Sequence, residues 1–364
     1  METTHHKEFH AAKFSRPDRV NAPLYCITPI INTQRFRSRW KIYKNAFEHQ
    51  IINAGAHLIL IECSYGEREE VYVETVHERH TIINVRTHHE LWHKENLINR
   101  AIQELHRIDP NWKYVCYVDS DIQFARPDWV GETLHKLQHH PIVQMFSQVA
   151  YLSPDNEQLR VALSFMEGWR QGIPFQNKAG IAQDKGAWVK HKHPKDCPCC
   201  PPPPYPEHNH SHKIAWAGAP GAAWAYRREA LNQLGGLVDY AILGSADYHM
   251  STALMGFLHI SLQKGYHPEY VQWLMDWQTR ALKYIKRDVG LVKGLILHHW
   301  HGKMKDRNYG TRWQILINHQ FNPRTDIKKD TNGLWQLEDE NDKWQLRDDI
   351  RGYFNVRNED SIDL

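Results

Sequence analysis

The sequence predicts an α/β protein: a mostly parallel central sheet flanked by helices. Three observations lead there. Short apolar runs of strand length alternate with helix-period segments through the first 140 residues. Those runs are apolar almost throughout rather than alternating with polar residues, as strands covered on both faces are. One of them runs directly into a pair of acids, and parallel sheets bind ligands beyond the carboxyl ends of their strands.

The elements follow in order. PLYCITPI (Pro23–Ile30) reads as a buried strand. Arg37–Asn53 places Trp40, Tyr43, Phe47 and Ile51 at spacings of three and four, which is one stripe of a helix, and Gly55 stops it. His57–Gly66 and Thr81–Thr87 are the next two strands, and Leu91–Ile108 is a helix closed by the turn Asp109-Pro110-Asn111. Tyr114–Phe124 is a fourth strand, followed by a helix from Pro127 to Gln138 with proline near its first turn. Val143–Ser153 is a further strand. Residues 168–213, rich in Gly, Pro, Lys and His, form a long insertion. Trp216–Leu237 gives a small-residue strand and then a helix closed by Gly235-Gly236; Asp239–Leu254 carries acids and the start of another helix. Val289–Gly302 is a strand ending in histidines, and residues 320–364 form an acidic helical extension.

Composition bounds the function. The 364 residues are 41% hydrophobic and 24% charged, enough for a large core, which excludes a mostly disordered or collagen-like chain. No apolar run approaches the roughly 18–20 residues of a membrane span. The first 20 residues lack the apolar centre of a signal peptide. A soluble, cytoplasmic protein is expected. A net charge of +3 does not by itself indicate nucleic-acid binding. The charge is uneven: residues 1–60 hold nine Lys/Arg against four Asp/Glu, and residues 325–364 hold six against eleven, which reads as a solvated tail. Cys26, Cys63 and Cys116 sit in strand-like runs and are expected to be buried free thiols. Histidine, at 26 residues, is several-fold above ordinary usage.

Three constellations carry chemistry. Asp119-Ser120-Asp121 follows the strand YVCYV, and strand positions two apart face one way, so both carboxylates can approach one hard cation such as Mg²⁺ or Mn²⁺. His298-His299-Trp300-His301-Gly302 follows another apolar run; His299 or His301 can complete a metal shell begun by Asp121, with His301 preferred. Lys303, Lys305, Arg307 and Arg312 come next and suit phosphate oxygens. Third, Gly244-Ser245-Ala246-Asp247 offers Asp247 either as a helix cap or as a general base. Thr28, Pro29, Glu62 and Arg86 lie at or near predicted strand ends, where a base and ribose would sit, and Lys94 is placed to reach phosphate. Trp216, Trp224 and Trp300 are either core residues or sugar-stacking platforms.

In this order the features resemble the GT-A glycosyltransferases, over roughly residues 22–320. The resemblance rests on Thr28-Pro29, the helix HKENLINRAI, the strand YVCYVDSD, the segment AWAYRREAL…GGLVD, Gly-Ser-Ala-Asp and the late His-Trp-His-Gly. The HWHGKMKDRNYGTRW run and the closing YFNVRNEDS are similar to those of bacterial and phage members. The resemblance implies a GT-A (Rossmann-like) fold in which Asp119, Ser120 and Asp121 engage the ribose and a divalent ion, Mn²⁺ or Mg²⁺. That ion would hold the diphosphate of a nucleotide-sugar, a UDP-sugar being the expected donor. It also implies Asp247 as base of an inverting transfer, although Ala246-Asp247 stands where a pair of acids is more usual. The implied organisation is an arm at 1–20, a catalytic domain at 21–320 and the extension at 321–364. Within that domain, 21–140 is the nucleotide half and 141–320 the acceptor half. The acceptor is open: a modified DNA base, a glycan or a protein side chain. The implied setting is the cytoplasm of a bacterial or phage-infected cell.

The cluster Cys197, Cys199 and Cys200 with His208 nearby offers soft ligands for a structural zinc ion, but Cys-Pro-Cys-Cys fits no common zinc module, and a proline-stiffened loop is the competing reading. There is no Walker-type loop, no Gly-x-Gly-x-x-Gly and no Gly-x-Ser-x-Gly. The competing functions are a nucleotidyltransferase, which also uses strand-end acids and a metal, and a catalytically silent nucleotide-sugar or glycan-binding module.

Overall fold

The computed structural model describes residues 22–67, 77–171, 218–338 and 343–364. The arm at 1–20, Trp216, Cys197, Cys199, Cys200 and His208, with nearly all of the insertion, lie outside the described residues.

A seven-stranded sheet forms the centre. Its strands are β1 (Leu24–Ile31), β2 (His57–Tyr65), β3 (His80–Thr87), β4 (Tyr114–Val118), β6 (Ile142–Gln144), β9 (Ala223–Arg227) and β10 (Val289–Leu291), in the order β10-β6-β9-β4-β1-β2-β3. Only β9 runs against the rest, pairing antiparallel with β4 and β6. Burial on both faces explains the apolar runs. Along β1, Tyr25 and Ile27 face one cluster while Leu24, Cys26 and Ile30 face the other, and β4 divides Val115 and Tyr117 from Cys116 and Val118 in the same way. The helix Lys94–Ile108 covers the first face with Leu97, Ile98, Ala101 and Leu105. The helical stretch 37–53 covers the second with Tyr43, Phe47 and Ile51; its middle, Tyr43–Phe47, is a π turn. Cys26, Cys63 and Cys116 are buried free thiols.

A second sheet stands at the carboxyl edge of the first. It is built from β5 (Ile122–Phe124), β7 (Gln148–Leu152), β8 (Gln158–Leu163) and β11 (Leu295–His298), in the order β5-β11-β7-β8. Three runs expected as single strands are each two strands in different sheets: β4 and β5, β6 and β7, β10 and β11. Two of the breaks bond each other, Ser147 N–H donating to Gly294 O at 2.9 Å. The chain therefore steps from one sheet to the other at the edge where Asp119–Asp121 and the histidines lie.

Beyond residue 320 the chain forms a hairpin, β12 (Ile327–Lys329) and β13 (Trp335–Leu337), and the helix Trp344–Asn355. The expectation was a helical extension alone. Ile327, Leu337, Leu346, Ile350 and Phe354 belong to the same apolar cluster as the central sheet. Among the described residues no helix is long and apolar enough to cross a membrane.

Candidate active site

A cavity of about 490 Å³ opens where the two sheets meet, and Asp119, Ser120, Asp121, Lys94, Asp247, His298, His301, Arg307 and Arg312 all line it. β4 ends at Val118. Asp119 N–H still donates to Ala222 O at 2.8 Å, and the chain then turns, Ile122 N–H reaching Asp119 O at 3.1 Å. Strand parity therefore stops at Val118, and the turn parts the two acids. Asp119 lies 2.5 Å from Lys94 Nζ. Asp121 faces the histidines and Arg39, with Oδ2 at 3.0 Å from His301 Nε2 and 3.1 Å from Arg39 Nη1.

The histidine run divides by the same rule. β11 ends at His298, so His298 shares the inward face of Ile296. Its ring packs between Tyr151 and His301, with centroids 5.0 and 5.1 Å away. His299 lies past the strand end and its Nε2 meets Gln123 Oε1 at 3.1 Å. Two residues further on, His301 again lines the cavity. Asp121, His298 and His301 each offer a ligand atom, all within 4.8 Å of one another. Neither ring nitrogen of His301 has a hydrogen bond of acceptable geometry, although the ring is buried and Nε2 stands at ion-pair distance from Asp121. A divalent ion would satisfy one of them, so these three residues fit a metal.

Burial favours neutral imidazole at both positions. It pushes His298 down to about 3, and lowers His301 with help from Arg307 and Arg39. Burial also acts to raise Asp121, but His301, His298 and Arg39 outweigh it and hold the carboxyl well below its ordinary range. Asp119 is raised by burial against the pull of Lys94.

A shell from distant sequence supports the site. Glu359 pairs with Arg39 and, at 2.6 Å, with Arg357, and its Oε2 lies 3.7 Å from His301 Nδ1. The tail carrying Glu359 is held by Arg37 and Ser38 N–H groups donating to Asp360 and by Trp300 Nε1 donating to Ser361 O at 2.6 Å. Gly302 permits this. Its φ is +84°, and a Cβ there would fall 2.8 Å from Asn358 O and 2.9 Å from Glu359 Cα. Asp247, which also lines the cavity, stands in the first turn of the helix Ala246–Leu254. Its Oδ2 packs on Gly221, where a Cβ would come within 2.3 Å. Glu95, buried and lining the cavity, is pushed up to about 8 by burial, with Asp247 adding to the rise and Lys94 opposing it. Arg307 and Arg312 are buried with Nε unbonded; Arg312 also donates to Ser245 Oγ and, at 3.0 Å, to Tyr353 OH.

Of the other residues singled out in the sequence, Pro29 lines the cavity, but Thr28, Glu62, Arg86 and Lys303 do not. Thr28 Oγ1 donates to Val118 O at 2.9 Å, Glu62 accepts from Trp40 Nε1 at 2.9 Å, and Arg86 donates to Gly66 O at 2.6 Å. Trp224 is a core residue donating to Pro220 O, and Trp300 anchors the tail. Sequence reasoning missed Arg39, Glu95, His298 and Glu359. For His298 the signal was present, since the strand parity of Ile296 pointed to it.

No protein-family model matches the chain, and no curated protein matches it. Among the solved structures similar to it at a low level are two that bind sugars or nucleotides in their complexes. One is the catalytic domain of Drosophila beta1,4-galactosyltransferase 7 in complex with xylobiose: 10% identity over 66% of this chain and 63% of that domain, with a TM-score of 0.30. The other is CMP:2-keto-3-deoxy-manno-octonic acid synthetase in complex with CTP: 12% identity over 75% of this chain and 90% of that one, with a TM-score of 0.33. Similarity of this order assigns no residue a role, so the function is argued from the site.

Proposed function

We propose that the chain is a metal-dependent glycosyltransferase that moves a sugar from a nucleotide-sugar, a UDP-sugar, to an acceptor hydroxyl with inversion. One observation carries the reading. A single cavity is lined by a metal-ligand group, by buried arginines with unbonded Nε atoms and by the carboxylate of Asp247.

The bound ion would supply charge neutralisation for the leaving diphosphate. The chain's own residues do the remainder. Arg307 and Arg312 present fixed N–H donors to phosphate oxygens in a desolvated site, where such donors act most strongly. Lys94 holds Asp119 in place, and Asp119 and Ser120 take the ribose side. Burial pushes the Glu95 carboxyl up to about 8, and Asp247, which lines the same cavity, is the carboxylate assigned to the acceptor. Asp247 accepts the acceptor's proton as its oxygen attacks the sugar from the side opposite the diphosphate.

The test is to incubate the protein with a panel of nucleotide-sugars and Mn²⁺, then identify the products by mass spectrometry. Release of nucleoside diphosphate with a glycosylated product supports the reading. Pyrophosphate release from a nucleoside triphosphate would replace it with nucleotidyl transfer, and binding without turnover with a silent module.

A further inference from the structure

Resting on the reading of the site as a metal centre, we infer that it selects first-row transition ions over Mg²⁺. It does so through two imidazoles and one carboxylate, with His298 as the second imidazole. Three features of the chain lead there.

The first is the composition of the donor set. Asp121, His298 and His301 converge, while Asp119, the other acid of the pair, is held 2.5 Å from Lys94. Glu359 is engaged by Arg39 and Arg357 and stands behind His301, on its Nδ1 side. Each of these acids is paired with a cation, and neither belongs to the convergent group. Mg²⁺ requires near-octahedral oxygen ligation and dehydrates reluctantly, whereas imidazole suits the transition ions.

The second is tautomer. His298 Nδ1 lies 3.1 Å from the carbonyl oxygen of His299, which can only accept, so Nδ1 carries the hydrogen and the lone pair is on Nε2. For His301, Nε2 faces Asp121 and Nδ1 faces the Glu359 carboxylate, the outer-shell arrangement that orients a ligating imidazole. The third is rigidity. His298 is the last residue of β11, in register with Ile122 on one side and Tyr151 on the other. Its place is fixed before any ion binds.

The experiment uses the full chain, freed of metal by chelator and titrated calorimetrically with MnCl₂, CoCl₂, ZnCl₂ or MgCl₂ alone. Pulsed electron paramagnetic resonance of the Mn²⁺ form reads nitrogen coupling directly. The expected affinity order is Mg²⁺ weakest, then Mn²⁺, Co²⁺ and Zn²⁺. Wild type should show coupling to two imidazoles. His298→Ala should show one and bind Mn²⁺ at least about 10-fold more weakly, while His299→Ala binds as wild type. Circular dichroism and melting temperature confirm that both variants fold; the wild-type coupling decides the matter even if His298→Ala does not. Mg²⁺ displacing Mn²⁺ at equal concentration, or coupling to a single imidazole in wild type, would overturn the inference and leave the metal centre standing. No binding of any ion would overturn both.

Discussion

Replacing Glu95 by glutamine removes a carboxyl that the fold keeps protonated. Burial, reinforced by Asp247 and opposed by Lys94, moves Glu95 from an ordinary 4.5 up to about 8. A carboxyl raised in this way favours the folded state below its unfolded value, and the advantage is lost as pH climbs through the folded value. At about 1.36 kcal/mol per unit, the wild type has given up roughly 0.8 kcal/mol by pH 5 and about 3 kcal/mol by pH 7. Glutamine resembles the protonated acid and carries no such slope. Glu95→Gln should therefore gain about 2–2.5 kcal/mol on the wild type between pH 5 and pH 7. Urea denaturation of both proteins in the same buffers across that range measures the difference. A gap that stays constant within about 0.5 kcal/mol from pH 5 to pH 7 would refute the reasoning, because Glu95 would then be ionised in the folded protein.

Three further outcomes follow from the site. Gly302→Ala puts a Cβ against Asn358 and Glu359 at a left-handed φ, and should cost about 1–3 kcal/mol and expose the C-terminal tail to limited proteolysis. Glu359→Gln leaves the buried Arg357 without its anion and Arg39 with Asp121 alone; it should cost about 3–5 kcal/mol by thermal melting and weaken Mn²⁺ binding roughly 10-fold or more. Arg312→Lys keeps the charge but loses the planar fork; nucleoside diphosphate affinity, measured by calorimetry, should fall by about 10-fold or more.

Much of the fold was legible because its strands are buried on both faces. In β1 and β2 nearly every side chain is covered, so the apolar runs marked the strands to within a residue or two. The same property hid the breaks. Met145 and Phe146 are as buried between the sheets as Val143 is within one, so hydrophobicity gave no sign that Val143–Ser153 changes sheets. At Asp119–Asp121 the hidden break bears on the site, since across it Asp121 meets His298 and His301 while Asp119 pairs with Lys94. In the histidine run the strand fixes the parity at Ile296 and His298, and His299, the alternative to His301, lies past its end against Gln123. Arg39 and Glu359 were illegible for a different reason: they meet 320 residues apart in sequence, and no local pattern encodes such a pair.

The most direct measurement is calorimetric titration of UDP into the wild type and into Asp121→Ala, each with and without Mn²⁺. Convergence of Asp121, His298 and His301 on one diphosphate-holding ion requires Mn²⁺ to tighten UDP binding in the wild type and to have no effect in the variant. Equal tightening in both proteins would contradict it.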